Sequence, residues 1–224
     1  MQVFDEQGRL ALSDISQSMK LTDSGSVSSI DVSNTGIYEY DVNVTVPDSS
    51  RPFLFCVKSD FDKLTLGPSN YDPTISGPTN VDIKFFSSYS GPKEYRLYTT
   101  FDFESYSTTT NFGMKLFSPD GNISYDTRVP EAIFEDLLQV TTSDETITHS
   151  PVSTPFYAMN LFPVSQVLSP ISGGSSVFRR RGLQQISSTE TEILFIEMLV
   201  IGQFGSQSTT TFSSNVPIVT SLGI

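Results

Sequence analysis

The chain has one cysteine, one histidine and no tryptophan, and basic residues are few. Each scarcity closes off a class of protein. A single thiol, Cys56, allows no internal disulfide. Its setting, Phe53-Leu54-Phe55-Cys56-Val57, makes it a small core residue rather than a reactive group. Structural or catalytic zinc needs clustered His and Cys ligands, which His149 and Cys56 cannot supply. Any serine or cysteine triad would also have to use His149. That residue lies in Thr148-His149-Ser150-Pro151, no Gly-x-Ser-x-Gly elbow occurs, and it reads as a solvated loop residue. With 13 Lys and Arg against 25 Asp and Glu, a net charge of −12 leaves no basic surface for phosphates. No nucleic-acid partner is expected.

Long apolar runs are missing as well. The longest, residues 193–201, is interrupted by Glu197 and is too short to cross a bilayer. No basic-then-apolar leader opens the sequence, so neither membrane insertion nor secretion is expected. No phosphate-cradling Gly-x-x-x-x-Gly-Lys run occurs, and no cofactor is expected. Asp60-Phe61-Asp62 and Asp5-Glu6 are close carboxylate pairs without the spaced acidic loop of an EF-hand, and they read as solvated charge. The expectation is a protein that is not an enzyme.

What the chain does have is aromatic and hydroxylic. Seventeen Phe and nine Tyr are diluted with Ser, Thr, Gly and Pro, and charged residues make up only 17%. That mixture is typical of an all-β protein. Tyr38, Tyr40, Val42, Val44 and Val46 alternate with Glu39, Asp41, Asn43 and Thr45, the period-two signature of a half-buried antiparallel strand. Residues 52–57 are apolar on both faces, which predicts a central strand. Gly67-Pro68, Asp72-Pro73 and Gly77-Pro78 predict a long loop over residues 60–80. Residues 81–86 and 94–103 read as a hairpin pair. In the second half, 134–141, 146–148 and 192–204 are strand candidates, with a short helix over 131–138 as the alternative to the first. A Pro/Gly/Ser loop is expected over 169–176.

The chain repeats itself. Met114-Lys115-Leu116-Phe117-Ser118-Pro119-Asp120-Gly121-Asn122-Ile123 reads as a hairpin whose turn uses Asp120 and Gly121. Residues 2–13 lay over 115–126 with Gly8 on Gly121, Val3 on Leu116 and Leu10 on Ile123, an offset of 113. Pro52-Phe53-Leu54-Phe55-Cys56 answers Pro155-Phe156-Tyr157-Ala158-Met159 at 103, and residues 103–110 answer 204–211 at 101. Ordered anchors of this kind indicate duplication. The expected architecture is all-β: two tandem, internally duplicated antiparallel β-sandwich-like domains, residues 1–112 and 113–224. Residues 212–224 would form a tail whose Pro217 restricts it to a sheet edge.

Two surface features stand out. Arg179-Arg180-Arg181 concentrates positive charge in an acidic chain. A solvated hairpin tip is the plainer reading, and a docking point for an acidic partner, or for a second copy of the chain, is the sharper one. Tyr71, Tyr89 and Tyr106 lie in or near loops and could stack on sugar rings.

Residues 113–128, and less fully 2–13, resemble the opening of small β-rich virion proteins of long-tailed bacteriophages. Those proteins begin with a short apolar strand, a turn with Gly and an apolar-Phe/Tyr-Asp/Ser step. The resemblance implies a structural component of a phage tail tip or baseplate, made in the host cytoplasm and built into the virion. Its partners would be other tail or baseplate proteins or copies of itself. The alternative is a module that binds a host receptor or a host-surface glycan.

Overall fold

The computed structural model describes residues 2–4, 10–13, 19–31, 35–48, 51–69, 74, 77–100, 114–117, 121, 123–126, 128–129, 132–141, 143–162, 166–171, 175–201, 207–208 and 214–221. The first half carries β1 (Gln2–Phe4), β2 (Leu10–Ser13), β3 (Met19–Val27), β4 (Ile30–Asp31), β5 (Tyr38–Val46), β6 (Phe53–Lys58), β7 (Lys63–Ser69), β8 (Thr79–Ser87) and β9 (Lys93–Thr100). The second carries β10 (Lys115–Phe117), β11 (Ile123–Asp126), β12 (Ala132–Val140), β13 (Glu145–Thr148), β14 (Phe156–Ala158), β15 (Gln166–Ile171), β16 (Ser175–Gln185), β17 (Glu190–Ile201), β18 (Gln207–Ser208) and β19 (Ser214–Ser221), with a 3-10 turn at Met159–Leu161.

Two small hairpins, β1–β2 and β10–β11, stand beside two larger antiparallel sheets. One sheet has the order β12-β19-β14-β6-β9-β3. The other runs β13-β17-β16-β7-β8-β5-β4, with β15 added beside β16 and β18 beside β15. The sheets pack face to face as an all-β sandwich, the architecture expected from the composition. Alternation holds on β5, where Tyr40, Val42, Val44 and Val46 are buried and Asp41, Asn43 and Thr45 are exposed. Against them lie Phe53, Phe55 and Val57 of β6, with Tyr157, Val216 and Ile218 from the second half. Each such side chain contributes about 1.5–3 kcal/mol by leaving water.

Several strands of the two halves correspond. Gln2 pairs with Ser13 and Phe4 with Leu10, while Lys115 pairs with Asp126 and Phe117 with Ile123, with the register shift at the same step. The offset of 113 extends from these hairpins to β3 and β12. Met19 stands at the place of Ala132, and the shift between Leu21 and Asp23 matches the one between Phe134 and Asp136. A bulge kept at the same step of both strands has the same effect on both. It moves the apolar set from one face of the sheet to the other partway along the strand.

How residues 1–112 and 113–224 meet is a finding the sequence did not supply. Both large sheets run through both halves: β6 pairs with β14, and β7 with β16. The inter-sheet core draws on both halves too. In the six-stranded sheet, Leu54 faces Tyr98 as Phe156 faces Val219, and Phe55 faces Leu97 as Tyr157 faces Ile218. Leu54 and Cys56 share a cluster with Phe156 and Ala158, and Phe55 shares the opposite one with Tyr157, so the two strands correspond at an offset of 102, not the 103 read from the sequence. At that offset Cys56 corresponds to Ala158, and these two residues pair with each other. A local two-fold axis passes between them.

Each sheet also curls around a cluster on its far side. Met19 and Leu21 from one edge strand and Ala132 from the other pack on Leu54, Cys56, Tyr98, Phe156, Ala158 and Val219. Strands β3 and β12 come within 8 Å of each other at Cα. In the nine-stranded sheet the Thr35 hydroxyl reaches the Glu197 and Met198 carbonyls, 2.8 and 3.2 Å away, and Ile37 packs with Ile196 and Met198.

Several expectations change. β8 and β9 are not a hairpin: β8 pairs with β5 and β7, and β9 with β3 and β6 in the other sheet. Gly67-Pro68 lies within β7, where the register jumps from Leu66 to Ser69. A Cβ at Gly67 would stand 2.9 Å from the Lys84 carbonyl, so Gly permits that close approach. β19 is the counterpart of β9, flanked by β12 and β14, rather than an edge tail. Pro217 is tolerated there because the β14 ladder engages only Ile218 and Val219. β12 makes Ala132–Val140 strand rather than the helix offered as the alternative, and the expected 169–176 loop narrows as β15 reaches Ile171 and β16 starts at Ser175. The 103–110 match, Gly8, Asp120, Tyr71 and Tyr106 lie outside the described residues.

Candidate functional site

The arginines do not form a hairpin tip. They sit in the middle of β16, where alternation puts Arg180 on one face and Arg179 and Arg181 on the other, the last two separated by their positions along the strand. Arg181 is fully buried, donates to Asp144 and to the Ser143 carbonyl, and lies 5.0 Å from the Phe195 ring. Arg180 donates to the Leu66 carbonyl at 2.8 Å and stands between the Phe86 and Phe178 rings, 6.0 and 5.6 Å from their centres. Arg179 pairs with Glu197 at 2.6 Å. Arg181 and Arg180 therefore serve the fold, and Arg179 keeps 38% of its side chain exposed. Gly121 takes φ +84°, as a glycine turn requires, and it is exposed.

His149 is not a solvated loop residue either. It is buried, with Nδ1 2.8 Å from the Ser150 carbonyl and Nε2 3.0 Å from the Thr191 hydroxyl. Thr191 is in turn 2.7 Å from the Tyr157 hydroxyl. This chain of polar groups ties β14 of one sheet to β17 of the other. Burial raises the Tyr157 phenol to about 12. It also pushes the Cys56 thiol well above its usual range, which makes the thiolate nucleophile scarce. Among the described residues no group of three His, Cys, Asp or Glu side chains is placed to hold a metal ion.

The most unusual local geometry lies between β6 and β7. Phe61 has φ +63°, alone among the described residues other than glycine, and the residue is 57% exposed. A bulky residue in the left-handed region costs roughly 1–2 kcal/mol and persists only where its surroundings force it. Those surroundings are polar and buried. Lys93, with no exposed surface, reaches Asp60 Oδ2 and Asp62 Oδ1, each at 3.0 Å. Asp62 accepts from the Asp60 N–H at 2.9 Å and from the Ser87 hydroxyl, and Ser87 in turn accepts from the Tyr89 N–H. Gln184 of β16 donates to the Phe61 carbonyl at 3.2 Å.

The neighbouring connection, 88–92, is anchored as firmly. The Tyr40 hydroxyl is shared between the Tyr89 and Gly91 carbonyls, and burial raises its pKa to about 12. Tyr89 is 45% exposed, and its ring centre is 5.5 Å from Lys93 Nζ. Two exposed aromatics thus stand at one end of the sandwich over a buried ammonium that fixes both loops.

Asp60 and Asp62 look like a surface pair in sequence. What made them a site was Lys93, a charged residue 31 positions beyond Asp62 that nothing local marks as buried. Asp62 is buried, not the solvated charge its sequence suggests, and Tyr89 is the one member of the cluster whose exposure the sequence indicates. Comparison with family models, with curated proteins and with solved structures finds no match for this chain.

Proposed function

We propose that this chain is a structural component of a phage tail tip or baseplate, acting through fixed protein–protein contacts. The observation that carries the reading is Phe61: a large apolar side chain held toward solvent at a conformational cost, over the buried Lys93–Asp62 pair. Burial of such an anchor in a partner contributes far more than the average contact. Phe134 and Leu137 on β12 and Phe117 on β10 add exposed apolar surface in the second half. The hairpin resemblance supplies the particle, and Phe61 supplies the kind of contact. Gold-tagged antibody raised against the chain should mark the distal end of the tail on purified particles. Recovery of the chain only free in the host lysate would sink the reading.

One observation favours a second reading, a receptor- or glycan-binding module. Tyr89 beside Phe61 gives two exposed rings on rigid loops, an arrangement that can stack on sugars. A purified monomer that binds host cells and shields them from infection would select that reading over the first.

A further inference from the structure

We propose that His149 is an acid-operated latch between the two sheets. Neutral, it is the receiving end of a hydrogen-bond chain that ties β17 to β14, and a proton taken up on its second nitrogen undoes that chain. The Ser150 carbonyl can only accept, so the ring nitrogen 2.8 Å from it, Nδ1, carries the proton of the neutral imidazole. Nε2 is then an acceptor, and the group that donates to it from 3.0 Å is the Thr191 hydroxyl. Having one proton to give, Thr191 in turn accepts from the Tyr157 hydroxyl at 2.7 Å. Burial raises that phenol to about 12, so it keeps a proton to donate. Donation therefore runs one way, from Tyr157 through Thr191 to His149, and all three residues are buried.

Protonation of Nε2 puts a donor where the chain needs an acceptor. Nε2–H then points at the Thr191 oxygen, and among the described residues neither hydroxyl has another partner to take the displaced proton. One buried O–H is left without an acceptor, which costs the desolvation of that group. His149 keeps 7% of its surface exposed, so protons reach it from solvent. The charges around it decide where the cation goes. Asp136 of β12 accepts from the Ser150 N–H at 2.8 Å and lies within electrostatic reach of the ring. Glu190 and Glu192 flank Thr191 on β17, and strand alternation turns both to the other face. Asp62, which acts on Tyr157 from the β6–β7 turn, is paired with Lys93. The imidazolium therefore leaves Thr191 for the Asp136 carboxylate, exchanging a tie between sheets for an ion pair with β12. What it releases is the connection between β13 and β14. His149 and Val152 donate their N–H groups to the Thr189 and Ser188 carbonyls of the β16–β17 turn, at 2.9 and 2.8 Å. Pro155, on the same connection, accepts from the Ser59 N–H at 3.1 Å, so the latch adjoins the turn that carries Phe61.

Imidazole nitrogen NMR on the purified full chain, with amide hydrogen exchange followed over a pH series, tests the latch. The chain has one histidine, so its ring signals are unambiguous. At about pH 8, above the imidazole range near 6.5, the ring should be the Nδ1–H tautomer. Between about pH 8 and about pH 5, exchange at the His149 and Val152 amides, corrected for the intrinsic rate, should quicken roughly tenfold, the worth of one such bond. Exchange at Leu97, inside the six-stranded sheet, should hold steady. His149→Gln, which offers an amide in place of the ring and takes up no proton, should show no acid-dependent step at Val152. A ring found as the Nε2–H tautomer would overturn the proposal, because the chain would then run the other way. So would exchange at Val152 that ignores pH in the natural chain, or that quickens equally in His149→Gln. The tautomer and the pH series use the natural chain alone, so they decide the matter even where the substitution unfolds it.

Discussion

The connections that leave β6 and β14 occupy equivalent places in the two halves and have opposite character. After β6 the chain turns outward, burying the charges of Asp62 and Lys93 to expose Phe61. After β14 it makes the 3-10 turn Met159–Leu161 inward, burying Met159 and Phe162 in the shared core. Asn160, between them, continues the ladder that β14 began on β6, bonding Phe53 and Phe55 with a side chain in place of a strand. The two-fold axis at Cys56 and Ala158 sets each turn beside the start of the other half's strand. The Ser59 N–H thus donates to the Pro155 carbonyl at 3.1 Å, the counterpart of the Asn160 contacts. The strands correspond, and the connections at equivalent positions differ: one carries Phe61 outward and the other lines a cleft with Leu161. The lesson is that register is conserved where neighbours constrain it, and connections are free to specialise.

The largest break in this comparison should come from Lys93→Ala. It leaves the buried Asp62 carboxylate without its ammonium, and losing one partner of a buried pair costs about 3–5 kcal/mol. Urea unfolding followed by tryptophan-free far-UV dichroism measures it. Adding Asp62→Asn should recover part of the loss, because the stranded charge is then gone. An unchanged midpoint for Lys93→Ala would mean that the clamp does not hold the turn.

Asn160→Ala probes the other connection. It removes the acceptor of the Phe55 N–H and the donor to the Phe53 carbonyl, at a cost of roughly 2 kcal/mol for groups left unsatisfied beside the core. Hydrogen exchange should quicken at Phe55 far more than at Leu97, which pairs with Phe55 from the other side. Equal exchange at both would show that β6 opens as a unit and does not depend on the side chain.

Asp23 and Asp136 close the bulges of β3 and β12, and they differ in partners. Asp136 accepts from the Ser150 and Leu137 N–H groups, each at 2.8 Å, while Asp23 accepts a long 3.4 Å bond from the Tyr95 hydroxyl. The Ser150 N–H first, then that of Leu137, holds the Asp136 carboxyl below the usual carboxylate range. A lowered folded value means that the stabilisation is present above the unfolded value of about 3.9 and is lost as pH falls through it toward the folded one. Asp136→Ala should therefore cost about 1 kcal/mol at neutral pH, and the difference from the natural chain should shrink on acidification below about pH 4. A cost that does not change with pH would assign the effect to packing.

Much of this fold was legible in sequence where one face is buried and the other is wet. β5 alternates, β6 is apolar from Phe53 to Val57 because both of its faces are covered, and the two opening hairpins share a register that their residues already announced. What stayed hidden was hidden for physical reasons. β3, in a Ser-rich stretch, faces two different clusters on either side of its bulge and so shows no steady period. β7 carries Gly67-Pro68, which reads as loop, but here lets the strand approach Lys84 closely. Arg181 and Lys93 are buried because distant carboxylates and carbonyls meet them, and no local pattern encodes that. Pairing of strands across the halves depends on β6 and β14 lying on the same axis, a property of the assembled sheet.

Phe61→Asn should have the smallest effect on stability and the opposite sign. Phe in the left-handed region is crowded by its own Cβ, whereas Asn tolerates that conformation, so relief of roughly 0.5–1 kcal/mol is expected. Against this stands the loss of a ring that is already 57% exposed and therefore contributes little by burial within the chain. If the ring served the fold of the isolated chain, its removal would lower the urea midpoint. If it served a partner, the midpoint should rise while association falls, because the strain is offset only when the ring is buried between two molecules. Asn160, the counterpart in the second half, should show the reverse pattern, with stability lost and contact surface kept. The two substitutions together separate a connection that supports its own fold from one that reaches for another.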